Sequence, residues 1–351
     1  MIWLTWRQFR GQAIAAAALL GVVLLALAAT GPHLWNLYTS TGLDGCRSGC
    51  TSAAASFVSQ AQSSSVLTEF RILLYVLYAV PALIGVFWGA PLIARELEAG
   101  TYQLAWNQSV SRSRWAVAKL GLLALCAMAT AGVLVLMTAL WGKPYSAAMA
   151  HGAVGGALGS AGRLSPVIFG ATGIAPIGYA AFGFALGAAI GLLIRRTVPA
   201  MAVTLAVYAA VEAVWPILIR PHLLPPVTKT VPLLGTRSGL NALSELNIQV
   251  PGGRMTVLGN FSRPGAWILS NKTITPSGHL FTGPAARACE AITSTQQSCN
   301  NWLASLHLRQ LVSYQPASRY WPLQWEEAGL YLLFALVITG LSAWWIRRRT
   351  S

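Results

Sequence analysis

The side chains able to do acid–base, nucleophilic or metal chemistry are few. In 351 residues there are nine carboxylates, with Asp44 the sole aspartate, five histidines and five cysteines. Paired-carboxylate catalysis and oxygen-ligand metal sites need acids gathered at defined spacing, and so thin a supply offers almost nothing to either. His33, His151, His222, His279 and His307 are scattered, with none at ligand spacing from a cysteine, which argues against zinc. A GxxxxGK[ST] loop would cradle phosphates on its backbone amides. The Gly-Lys pair here, Gly142-Lys143, is followed by Pro144 and lacks the earlier glycine. The chain is therefore expected not to be an enzyme and to hold no metal or cofactor of its own.

One carboxylate stands apart. Glu212 falls inside a long apolar stretch, where a charge costs a few kcal/mol and must face a partner, a cavity or its own protonated form. Two readings stay open: a lining residue of a translocation path, or a protonated or hydrogen-bonded carboxyl packed against Tyr208 or a neighbouring helix. A single central carboxylate is thin support for ion coupling.

The elements that must position these groups are membrane spans. Hydrophobic residues make up 55% of the chain, charged residues 9%, and the mean hydropathy is +0.57. A hydrocarbon core about 30 Å thick needs roughly 20 apolar residues per helix. Six stretches qualify: Ala13–Thr30, Ile72–Ala94, Trp115–Trp141, Pro166–Ile194, Val198–Ile219 and Ala328–Ile346. The formal charge of +15 is dispersed between them rather than gathered on a soluble module, so it reads as topology and not as nucleic-acid binding. Arg7, Arg10, Arg95, Arg112, Arg114, Lys119, Arg195, Arg196 and Arg347–Arg349 fall on one side, and Arg47, Arg71, Lys143 and Arg163 on the other. Eleven against four puts both termini in the cytoplasm of a multi-pass cell-membrane protein. The first span exceeds the usual apolar run of a cleavable signal peptide, and Ile2–Arg10 reads as a helix lying at the inner headgroups.

The fold class expected is thus an all-α polytopic membrane protein of six transmembrane helices, with an extracytoplasmic α+β insertion of roughly 100 residues between helices 5 and 6. The organisation follows: 1–220 for the first five spans, 221–325 for the insertion, and 326–351 for the last span and its basic tail. Met255–Leu258 and Ala266–Leu269 have extended patterns, whereas Trp302, Leu303, Leu306 and Leu311 recur at helical spacing across Asn300–Leu311, a core-packing signal. The Gly- and Ala-rich run Ala147–Gly162 is too weakly apolar for a span and reads as an outer loop or re-entrant piece. Cys46, Cys50, Cys289 and Cys299 fall on the outer, disulfide-permissive face, in any of three pairings, while Cys126 sits within a span. Gly183, Gly187 and Gly191 recur every four residues and let another helix approach closely, more readily an internal neighbour than a dimer seam.

The most informative cytoplasmic stretch is Ala94–Lys119. Arg95–Ala99 can prolong the second span, Gly100 ends it, and Ser111 or Ser113 can cap the third. Here the sequence resembles the actinobacterial-type permeases of the ABC-2 export class. The resemblance is carried by Trp3-Leu4-Thr5-Trp6-Arg7-Gln8, Ala94-Arg95-Glu96-Leu97-Glu98-Ala99-Gly100-Thr101, Leu104–Arg112, Tyr314–Trp321 with Trp325-Glu326, and Trp344–Arg349. It implies a permease that works as a homodimer or with a sister permease, on two ATPase subunits that carry ATP and Mg. Those subunits would dock on the loop bearing Arg95, Glu96, Glu98, Gly100, Thr101, Tyr102, Trp106 and Arg112. The loop lacks the Glu-Ala-Ala-x-x-x-Gly signature of many importers, which favours export. The competing reading is a non-transporting membrane sensor or scaffold whose external domain binds a ligand.

Overall fold

The computed structural model describes residues 2–64, 66–98, 112–150, 162–233, 246–249, 254–259, 261, 263, 265–284 and 296–349. They form two compact units, one of 1–148, 166–223 and 321–351, the other of 149–165 and 224–320.

The first unit is helical: α1 (Ile2–Ser40), α2 (Thr51–Ser63), α3 (Val66–Ile84), α4 (Ala90–Glu98), α5 (Arg112–Trp141), α6 (Lys143–Ala150), α7 (Pro166–Ala171), α8 (Ala175–Ile194), α9 (Thr197–Val214), α10 (Arg220–Leu223) and α12 (Tyr320–Arg349). Among the described residues, six helical stretches, 16–40, 68–98, 120–141, 175–194, 197–223 and 317–345, are long and apolar enough to cross a membrane. The chain is a polytopic membrane protein, mostly helical, with small antiparallel sheets after the fifth span.

Two boundaries differ from the sequence reading. Ile2–Arg10 is not a separate helix, because α1 runs unbroken for 39 residues. At 1.5 Å per residue that is about 58 Å, well beyond the hydrocarbon core. The stretch Pro166–Ile194 is not one helix either: α7 stops at Ala171, Gly173 takes a positive φ of 74°, and α8 restarts at Ala175 with Pro176 in its first turn. Proline fits there because the first turn's N–H groups have no intrahelical partner.

Helix α8 is the centre of the unit, with fifteen buried residues among its twenty. Its small residues allow this. A Cβ on Gly183 would stand 2.5 Å from the Pro81 carbonyl, and one on Gly191 would collide with the Ala90 carbonyl. The facing chain between α3 and α4 is a π-helical turn, Gly85–Gly89, four residues after Pro81. A Cβ on Gly85 would lie 2.6 Å from the Gly183 carbonyl, and one on Gly187 would strike the Gly85 carbonyl. The glycine ladder is thus an internal seam between the second and fourth spans. Beyond it, Ala90 and Ala94 of α4 pack with Ile190 of α8 and Ala200 of α9.

Cys46 and Cys50 follow α1 and are disulfide-bonded, with Cα atoms 5.8 Å apart, whereas Cys126 is free. Cys289 lies outside the described residues. Cys299 lies in α11 (Gln296–Ser305), and its side chain is outside them too.

The second unit contains two antiparallel sheets and α11 (Gln296–Ser305). One sheet has the order β1-β6-β4, from β1 (Val227–Pro232), β6 (Arg309–Gln315) and β4 (Trp267–Ile274). The other joins β2 (Leu246–Gln249), β3 (Arg254–Gly259) and β5 (Gly283–Pro284). Strands β3 and β4 cover the two extended patterns. The Asn300–Leu311 helix ends earlier than its spacing suggested: His307 turns into the left-handed region (φ 47°) and Leu311 belongs to β6. Trp302, Leu303 and Leu306 do pack together, against Leu233, Val257 and Leu308.

Candidate functional site

Polar side chains that a bilayer would penalise converge on one region of the first unit. Arg220 opens α10 and is fully buried, as is Glu327 on α12. The Arg220 Nε donates to Glu327 Oε2 at 2.8 Å and Nη2 donates to Oε1 at 2.8 Å, a two-pronged pair. The Tyr179 hydroxyl of α8 donates to the same Oε1 and accepts from Arg220 Nη2 at 3.3 Å. The guanidinium also lies over the Phe169 ring, 4.2 Å from its centroid, so four elements meet at one cation.

Glu212 belongs to the same region. Its Oε2 accepts from the Tyr78 hydroxyl of α3 at 3.2 Å, while Oε1 is buried without a partner. The Tyr208 and Tyr331 hydroxyls lie beside this carboxyl and are themselves buried without a well-formed hydrogen bond. Tyr331 packs edge-on to Tyr179, Phe182 and Trp215, with centroids 4.6, 5.2 and 4.6 Å away. Glu212 thus packs beside Tyr208, and one of its oxygens has no partner.

The turn between α9 and α10 sets this register. Trp215–Ile219 is π-helical and contains Pro216, whose missing N–H removes an α-type bond. In an unbroken α-helix, residues 212 and 220 would point roughly 80° apart; absorbing one extra residue in the wide turn brings them to about 20°. Glu212 stands fifteen residues into the fifth span from Thr197, about 22 Å along it, and Arg220 about 35 Å. Glu212 is thus within the hydrocarbon depth and Arg220 near its far boundary.

Gln324, one turn before Glu327 and fully buried, serves the break in the fourth span. Its Oε1 accepts the N–H groups of Ile174 (2.9 Å) and Ala175 (2.7 Å), and its Nε2 donates to the carbonyls of Phe169 (3.0 Å) and Thr172 (3.1 Å). One amide serves both the end of α7 and the start of α8, where backbone groups have no helical partner.

A family model described as ABC-2 membrane transporter related matches residues 16–220, more than half of the chain. The chain belongs to this family. No curated protein and no solved structure matches it. It is a transporter permease subunit, the membrane component and not the nucleotide-binding one. The model's last matched residue is Arg220, so the matched region supplies the cation and Tyr179 of the network, while Gln324, Glu327 and Tyr331 lie beyond it.

At the opposite end of the fifth span, the residues expected to couple the permease to an ATPase are placed only in part. Arg95 is exposed and Glu96 half-buried. Glu98, the last residue of α4, reaches the start of α9: its Oε2 accepts from Thr197 N at 3.0 Å and from Thr197 Oγ1 at 2.7 Å. A carboxylate there satisfies a first-turn N–H and complements the helix dipole. Gly100, Thr101, Tyr102 and Trp106 lie outside the described residues; Arg112 opens α5, but its side chain is outside them.

Sequence reasoning missed the Arg220–Glu327–Tyr179 network and the role of Gln324. A signal was present: Arg220 immediately follows the fifth apolar stretch and Glu327 immediately precedes the sixth. Among the described residues, no three His, Cys, Asp or Glu side chains gather to hold a metal ion.

Proposed function

We propose that this permease exports its substrate using a separate ATP-binding cassette ATPase, which binds the ATP and Mg and docks on the loop from Arg95 to Arg114. Both termini and that loop are cytoplasmic, and two permeases, identical or sisters, assemble on two ATPases. The observation that carries this reading is the contact between Glu98 and Thr197. A chain with no phosphate-cradling loop receives free energy from ATP only through physical contact with the subunit that hydrolyses it. Glu98 lies in the helical start of that loop and caps α9, the helix that bears Glu212 and leads through the π turn to Arg220. A push on the loop is thereby delivered to the cytoplasmic end of the fifth span. Glu212, the partly unsatisfied carboxyl farther along that helix, lines the translocation path.

The test is to affinity-purify the permease from cells that produce it and identify the ATPase that accompanies it. With that pair in inside-out vesicles, Glu98→Ala should leave both proteins in the membrane but lower transport per ATP hydrolysed. Tyr102→Ala with Trp106→Ala should lower co-purification itself. Normal co-purification and normal coupling in all these variants would remove the loop from the mechanism. Labelling of introduced cysteines in intact cells should find positions 100 and 195 protected and 270 reactive; reaction at 100 from outside would reverse the orientation.

A further inference from the structure

The face of α12 opposite the ionic network is open. Trp321 and Trp325 stand one turn apart on it and are 51% and 67% exposed. Glu326, beside Trp325, is exposed too. In a helix that advances about 100° per residue, Trp325 and Glu326 bound a sector about 100° wide, and Gly329, one turn farther along, falls between them. A Cβ on Gly329 would meet nothing within 4 Å, and the same holds at Gly340 in that sector. Leu333 and Leu336, both exposed, edge the strip between the two glycines. Gln324, Glu327 and Tyr331 are buried on the far side of the helix.

A bilayer covers such a face, and the helix fixes which layer of it meets which residue. Trp325 and the exposed Trp344 are nineteen residues apart, about 28 Å along the axis and close to the thickness of the hydrocarbon core. Indole rings at that spacing settle at the two interfaces, with the ring body in the apolar layer and the N–H toward the polar heads. Glu326 is thereby at headgroup level, and the strip from Gly329 to Gly340 is at the level of the acyl chains. A carboxylate in that place runs against the chain's formal charge of +15. Arg319, the cation nearest to it in sequence, is engaged elsewhere: its Nη1 donates to Gln315 Oε1 at 2.7 Å and to the Pro225 carbonyl. An acid so placed repels anionic heads and attracts an ammonium.

We propose that this face of α12 binds a phospholipid with a primary ammonium head, phosphatidylethanolamine. The ammonium pairs with the Glu326 carboxylate beside the Trp325 ring, and the Trp325 indole N–H donates to a phosphate oxygen. One acyl chain lies in the strip over Gly329, between Leu333 and Leu336. The site depends neither on the export reading nor on which leaflet meets this end of the helix.

The experiment is photolabelling of the full chain in phosphatidylcholine nanodiscs. Three probes share one diazirine-bearing acyl chain and differ in the head: phosphatidylethanolamine, phosphatidylcholine and phosphatidylglycerol, each at the same mole fraction. Trypsin releases residues 320–347 as one peptide, on which adducts are placed by mass spectrometry. The ethanolamine probe should label residues 325–340 at least fivefold above the glycerol probe, with the choline probe, which has no N–H for Glu326, in between. Glu326→Gln should bring that ratio below twofold, and Glu326→Lys should invert it. Trp325→Leu should lower labelling by all three probes and leave their order unchanged. Equal labelling by the three probes, a ratio that survives Glu326→Gln in chain that elutes as wild type does, or a face without adducts because a second chain covers it, would overturn the proposal.

Discussion

Glu327→Gln is the most informative single change in the membrane unit. It preserves side-chain size but takes the negative charge from a guanidinium that is fully buried and already has one nitrogen, Nη1, without a partner. Removing one member of a buried ion pair costs about 3–5 kcal/mol, because the remaining charge is left uncompensated. For a unit of this size each kcal/mol lowers Tm by about 2–4 °C, so the expected fall is roughly 6–20 °C. Arg220→Met should cost less, since the stranded Glu327 carboxyl can take up a proton. The double variant Arg220→Met/Glu327→Leu replaces both charges by apolar groups and should recover most of the loss, as buried pairs often do when both members go. The assay is thermal denaturation in detergent, followed by the fraction of tagged protein that still elutes as a folded peak, for Glu327→Gln and for the closed cycle of wild type, Arg220→Met, Glu327→Leu and the double variant. A cycle coupling below about 1 kcal/mol, or a double variant as unstable as the sum of the singles, would refute the view that this pair is mutually compensated.

Three further outcomes follow from the same geometry. Gly85→Ala or Gly187→Ala places a Cβ inside the contact distance of a backbone carbonyl on the facing span, so either should lower Tm by several degrees, whereas Gly21→Ala, with open space around it, should not. Gln324→Leu removes four backbone hydrogen bonds at the break in the fourth span and should reduce the yield of folded protein severely, measured by the same elution assay. Non-reducing mass mapping should recover the Cys46–Cys50 bridge with Cys126 unmodified, and Cys46→Ser should cost about 2 kcal/mol or less, because the loop it closes is short.

Hydropathy alone made the six spans readable, because a bilayer imposes a length and an apolar composition that leave few alternatives. The alternation around Met255 and Trp267 likewise sufficed for two strands. What hydropathy could not register was a change of backbone geometry that leaves composition untouched. Ala171–Pro176 stays apolar through the break, and only Gly173 and Pro176 mark it. The π turns at Gly85 and Trp215 are marked by prolines, Pro81 before the first and Pro216 inside the second, that also occur in ordinary spans, so their position, and hence the facing of Glu212 with Arg220, is not written in periodicity. Residues 303–311 show a different limit. Leucine spacing suited a helix throughout, but pairing of Arg309–Gln315 between two other strands outweighed local pattern. Glu98 was legible as a charge in the loop proposed to meet the ATPase, though its engagement with Thr197, ninety-nine residues away, was not.

The amide of Gln324 has a consequence for the order in which the protein is made. The two half-helices of the fourth span enter the membrane long before residue 324 has been synthesised, so their facing ends must wait, without this partner, through the insertion of the fifth span and the translation of residues 224–320 of the second unit. Arg220 waits likewise for Glu327. The sixth span is thus the keystone of assembly, and a ribosome stalled before it leaves behind an unfinished bundle, recognisable to the quality-control proteases of the membrane by its unmet polar groups.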